Sequence, residues 1–117
     1  MDSLEELEKA INKFVSDRDW DQFHTPENLA KSISIEANEL LECFQWSNDY
    51  RDKEHVKDEL GDVINYCLQL AHVLDVDVKE IVLNKLEKTA KKYPITECKG
   101  KALKYTAYHK AKDEYNE

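Results

Sequence analysis

The chain has 117 residues, a formal net charge of −8, 36% charged residues and 41% hydrophobic residues, with two glycines and two prolines. That length fits one small domain, and so few turn formers exclude a turn-rich β architecture. The acidic balance argues against a general nucleic-acid binder, because phosphate backbones would be repelled, although a divalent cation would still allow a nucleotide ligand.

The chain reads as amphipathic helices. Ser3 with Glu6 has the pattern of a capping box, and Leu4, Leu7, Ile11, Phe14 and Val15 follow at helical spacing. A first helix is expected from about residue 3 to 18. Asp19 to His24 is short, aromatic and polar, and is read as a loop. Thr25-Pro26 supplies an N-cap followed by proline at the first helical position.

A second helix is expected to reach about Trp46, with Leu29, Ile33, Ala37, Leu40, Leu41 and Phe44 toward a core. Residues 47–51 form the break. The third helix, about residues 52–74, carries Val56, Leu60, Val63, Ile64, Cys67, Leu70 and Leu74. Asp75 or Asp77 caps a fourth containing Val78, Ile81, Val82 and Leu86, and Pro94 stops it after Tyr93. Residues 1–94 are thus read as the helical domain. Residues 95–117, rich in lysine and tyrosine, are read as a docked or flexible tail with at most one short helical turn.

The fold class expected is all-α, a four-helix bundle-type subunit. A single helical layer cannot bury its own stripe, so either the helices form a bundle or chains pair, and with so small a core and so many charges an oligomer is expected. The three cysteines (Cys43, Cys67, Cys98) have no paired ligand spacing, and the two on helices are read as reduced, buried thiols. No leader and no membrane-length apolar run is read, so a soluble cytoplasmic protein is expected.

Glu36 and Glu39 lie three apart on the second helix, as do Glu59 and Asp62 on the third. Three residues advance a helix by about 300°, so each pair sits about 60° apart on one face. Both pairs border the apolar stripe, and helices joined by so short a break should be antiparallel neighbours that let the pairs face each other. Spacing alone, among 25 acidic residues, favours an ordinary solvated face. The placement beside both stripes makes a cation site an equal reading. Oxygen donors without nearby histidine or cysteine suit Mg²⁺, or Mn²⁺ as a substitute, and disfavour Zn²⁺.

Glu36-Ala37-Asn38-Glu39-Leu40 and Glu59-Leu60-Gly61-Asp62-Val63 resemble the paired acidic motifs of the all-α MazG-like nucleotide pyrophosphohydrolases. The approach Arg18-Asp19-Trp20-Asp21-Gln22-Phe23-His24-Thr25-Pro26-Glu27-Asn28-Leu29 is similar to that of the dCTP pyrophosphatase branch. So are Phe44-Gln45-Trp46 and Lys92-Tyr93-Pro94, and the resemblance runs from about Phe14 to Tyr105.

The resemblance implies that Glu36, Glu39, Glu59 and Asp62 hold Mg²⁺ and carry the catalysis, cleaving a nucleoside triphosphate to monophosphate and pyrophosphate. It implies dCTP or a related deoxynucleotide as substrate, nucleotide-pool cleaning as the role, and a homodimer or homotetramer with its pocket at the subunit interface. Trp20, His24, Trp46 and Tyr66 match pocket residues, and Lys85 and Lys92 match basic residues that approach phosphates. Two positions depart from the pattern. Ile35 stands where many relatives have a further glutamate, and Thr89 where the branch commonly has asparagine.

Blander roles stand beside these. Trp20 and Trp46 fit core or interface aromatics, and His24 fits a plain loop residue. Glu42 is read as solvated or as a partner of the ligands. Gly61, in mid-helix, fits either close packing or room for metal and phosphate. Lys99, Lys101 and Lys104 are read as solvated. A non-catalytic acidic helical dimer that binds other proteins is the alternative function. A di-iron carboxylate bundle is ranked last, because no glutamate has a histidine three residues later.

Overall fold

The structure, a computed structural model, describes residues 2–46 and 53–102. Five α-helices follow one another: α1 (Ser3–Asp17), α2 (Pro26–Glu42), α3 (Lys53–Val73), α4 (Val78–Lys92) and the short α5 (Ile95–Cys98). A 3₁₀ turn, Asp21–Phe23, precedes α2, and the described residues contain no strand. The architecture is all-α, as the composition implies. The expected break at residues 47–51, and the tail beyond residue 102 with Lys104, lie outside the described residues.

The helix ends have local causes. The N-cap of α1 is Asp2 and not Ser3: Asp2 Oδ1 accepts from the Glu5 backbone N–H at 2.8 Å. Aspartate caps as well as serine, and its charge also suits the positive end of the helix dipole. Thr25 caps α2 as expected, accepting from Asn28 N at 3.1 Å with Pro26 behind it.

Both α1 and α3 stop on an aspartate in the left-handed region, Asp19 and Asp75, each with φ near 54°. Trp20 N donates to Val15 O and Asp19 N to Ser16 O. After α3, Val76 N and Asp75 N bond Ala71 O and His72 O in the same way. These are Schellman turns made without glycine, which aspartate tolerates better than most residues. Helix α2 ends at Glu42, short of the expected Trp46. From there Cys43, Phe44 and Gln45 bond carbonyls three residues back in a tightened last turn.

The described residues fall into two units, residues 1–77 and 78–117. In the first, α2 packs along α3 and α1 packs on α3. Val15, Leu29, Leu68 and Ala71 form the buried core. Leu29 is 1% exposed, and its replacement by alanine removes roughly 2–5 kcal/mol. Asn12 Nδ2 and His72 Nδ1, at 3.3 Å, tie α1 to the end of α3.

The periodic stripe assigned to α3 is rotated relative to what is buried. Leu60, Ile64, Cys67 and Leu74 are exposed, while Leu68, Gln69 and Ala71 are buried. On α2, Leu41 and Ala37 are likewise exposed. The helix is apolar on more than one side, and periodicity does not say which side the intrachain neighbours take. The expectation of a buried thiol at Cys67 therefore fails; Cys43, on the last turn after α2, is half-buried. Of the second unit, α4 carries Ile81, Val82, Leu83 and Leu86, all exposed.

Candidate metal centre

Glu36 and Glu39 stand on the side of α2 that meets α3, and Glu59 and Asp62 on the side of α3 that meets α2. One carboxylate oxygen from each of Glu36, Glu59 and Asp62 lies within 4.8 Å of the others. Glu36 and Glu59 are half-buried and Asp62 is exposed. Glu39, also half-buried, lies near enough to both Glu36 and Glu59 to raise the pKa of each. Three of the four predicted acids, Glu36, Glu59 and Asp62, thus form one cluster, and Glu39 neighbours two of them.

Bringing like charges together at partly desolvated positions favours the protonated form. The hydrogen bond with Glu39, then burial, then the charges of Glu39, Asp62 and Glu59 push Glu36 up to about 7. Glu59 is raised first by burial, then by the hydrogen bond and charge of Glu39 and by Asp62. His55 works against this, with Nε2 3.9 Å from Glu59 Oε1.

Even so, Glu36 Oε2 and Glu59 Oε2 are buried with no hydrogen-bond partner. A buried acceptor without a donor costs about 1–3 kcal/mol, more when charged. A hard divalent cation would satisfy both oxygens and remove the repulsion. The donor set fits one: carboxylate oxygens only, without thiolate or imidazole among the clustered ligands. Glu42 is exposed, as read. At Gly61 a Cβ would meet nothing within 4 Å, so close packing within the chain does not explain it.

The other predicted residues are dispersed. Tyr66 is half-buried on α3, one turn beyond Asp62. Trp20 packs edge-on against Phe14, with ring centroids 5.7 Å apart. Arg18 covers the Phe14 ring at 3.6 Å and donates to the Phe14 carbonyl. His24 lines a small cavity with Asn12, Gln69 and His72. Trp46 is 90% exposed. Lys85 and Lys92 are on α4, in the second unit.

Sequence reasoning missed a second cavity, larger than the one beside His24. About 240 Å³ in volume, it lies between α1 and α3 and is lined by Ala10, Ile11, Phe14 and Asn65. Phe14 was read only as part of a core stripe. Asn65 carries a usable signal, since it continues the three-residue spacing of Glu59 and Asp62 by one step.

The model of the MazG-like family matches residues 31–107, two thirds of the chain including all four acids. The chain belongs to the MazG-like family. Within this family setting it is 34% identical to mouse dCTP pyrophosphatase 1 and 35% identical to the rat protein. Each match covers 89% of this MazG-like chain and 66% of the relative. The chain thus spans about two thirds of the length of the curated relatives it matches. Among solved structures it is similar to a pyrophosphatase from Archaeoglobus fulgidus, with a TM-score of 0.75 and 41% identity. That match covers 80% of this chain and 94% of the archaeal one.

Proposed function

We propose that this chain hydrolyses nucleoside triphosphates, dCTP or a related deoxynucleotide among them, to monophosphate and pyrophosphate at the α2–α3 acid cluster. Nucleotide-pool cleaning is the role this activity would serve. The observation that carries the reading is the pair of buried, partnerless oxygens, Glu36 Oε2 and Glu59 Oε2, in a group of acids otherwise short of positive charge. The names of the similar proteins supply the reaction class.

Glu36, Glu59 and Asp62 would hold Mg²⁺, with Glu39 as the fourth acid. When bound, the ion supplies Lewis acidity, acidifying water and shielding phosphate charge. Glu39, near both Glu36 and Glu59, would orient the attacking water and accept its proton. The water adds at the α-phosphorus and pyrophosphate leaves; no side-chain nucleophile is needed. The cavity beside Phe14 and Asn65 takes the base. It begins one helical turn from Asp62, about 4.5 Å along the helix axis, so a nucleotide can span from phosphates to base along α3. Trp20 packs on Phe14, which lines that cavity, while the roles of His24 and Tyr66 follow the resemblance. The roles of Trp46, Lys85 and Lys92 rest on the resemblance alone.

The exposed Ile35, Leu41, Leu60 and Ile64 support assembly as a homodimer or homotetramer, because they leave apolar faces of α2 and α3 uncovered within one chain.

A panel of nucleoside triphosphates with Mg²⁺, scored for pyrophosphate and for phosphate, tests the reading. Pyrophosphate and monophosphate in equal amounts are expected. Release of inorganic phosphate alone would reject attack at the α-phosphorus.

A further inference from the structure

Glu59, Asp62, Asn65 and Gln69 recur at helical spacing, so the acids of α3 run on into two carboxamides along one stripe. Asn65 contributes the one polar side chain among the residues lining the larger cavity. Behind it Gln69 is 6% exposed, and its Nε2 donates to Asn65 Oδ1 at 2.9 Å. A primary carboxamide has one acceptor oxygen and one donor nitrogen. With Oδ1 engaged by Gln69, the group that Asn65 offers to the cavity is its Nδ2 amide donor.

The bond to Asn65 fixes which end of Gln69 faces it, while Gln69 Oε1 is buried with no hydrogen-bond partner among the described residues, and the residue lines the small cavity shared with Asn12, His24 and His72. That cavity of about 10 Å³ has room for about one water and is lined with polar groups that could hold it. Reversing Gln69 would turn Asn65 as well and present an acceptor to the larger cavity.

We propose that Asn65 is a specificity-determining residue, whose amide donor reads a carbonyl or ring-nitrogen acceptor on a nucleobase, with Gln69 as its positioning residue. The proposal rests on the reading of the cavity as the base end of the nucleotide site. Cytosine, with adjacent N3 and O2 acceptors, suits a lone donor better than a base edge that carries N–H there.

The test is calorimetric titration of the full chain with dCMP, dTMP, dAMP and dGMP, and with Mg-pyrophosphate as a probe that lacks a base. In Asn65→Leu, dCMP binding should weaken by about tenfold, the size of one lost hydrogen bond. The preference among bases should narrow, and pyrophosphate binding should not change. Gln69→Met, which cannot donate, should narrow the preference in the same way with Asn65 still present. Unchanged base ranking in Asn65→Leu overturns the proposal, as does an equal loss for pyrophosphate. Improved dTMP binding relative to dCMP in the wild type would show the opposite amide orientation and also overturn it. If no nucleotide binds the wild type, this proposal and the catalytic reading fall together. If nucleotides bind but no pyrophosphate is released, only the catalytic reading falls.

Discussion

Two stretches of one stripe along α3 solve opposite problems. Toward α2 it presents Glu59 and Asp62 to Glu36 and Glu39, a group with surplus negative charge and two buried oxygens left without donors. Toward α1 it presents Asn65 and Gln69, neutral amides bonded to each other beside Phe14. The first stretch is electrostatically unfavourable in the protein alone, and a bound cation would relieve it. The second is uncharged and has one internal amide–amide bond, with a single buried oxygen, Gln69 Oε1, left without a donor. Under the proposed function, an acid cluster one turn from an apolar cavity on one helix would divide chemistry from recognition along that helix. It follows that changes on the α2 side should act on turnover, and changes on the α1 side on affinity.

The largest expected effect is on the α2 side. Glu39→Gln should lower kcat by at least about 100-fold, in the range typical of a lost general base, with the helical circular dichroism spectrum intact. Undiminished turnover would remove Glu39 from the catalytic group.

On the α1 side, Phe14→Ala should raise KM by roughly tenfold, in keeping with the loss of one stacking contact, while kcat changes little. A fall in kcat with KM unchanged would break the division between the two sides.

The smallest effect is on stability against pH. Glu36 is raised to about 7 in the folded protein from an ordinary 4.5. A raised carboxyl contributes stability fully below about 4.5 and loses it as pH rises through about 7. Metal-free protein should therefore show a Tm that declines from about pH 5 to about pH 8 by linkage. Mg²⁺ should lessen the decline and Glu36→Gln should flatten it. A metal-free Tm profile that is the same in Glu36→Gln as in the wild type would detach the raised carboxyl from the fold's pH response.

Much of this was legible before any coordinates. The helices, the Thr25-Pro26 start of α2 and the two acidic pairs follow from short-range pattern, because capping and angular spacing are properties of neighbouring residues. Even the ends at Asp19 and Asp75 are local in cause. They were harder to read because aspartate takes the left-handed position that glycine usually marks.

What the chain could not show in one dimension was how each helix is rotated against its neighbours. The repeat in α3 allowed Leu60 and Ile64 to be core, yet packing buries Leu68 and Ala71 instead. That rotation decides which acids lose their water, brings Glu39 within reach of both Glu36 and Glu59, and sets Asn65 in a cavity lined otherwise by Ala10, Ile11 and Phe14 of α1. Periodicity sets angles within a helix, whereas burial and hydrogen bonding depend on the surface that meets it. The acid pairs are thus written in the sequence, and the partnerless oxygens and the Gln69-held amide exist only in the packed structure.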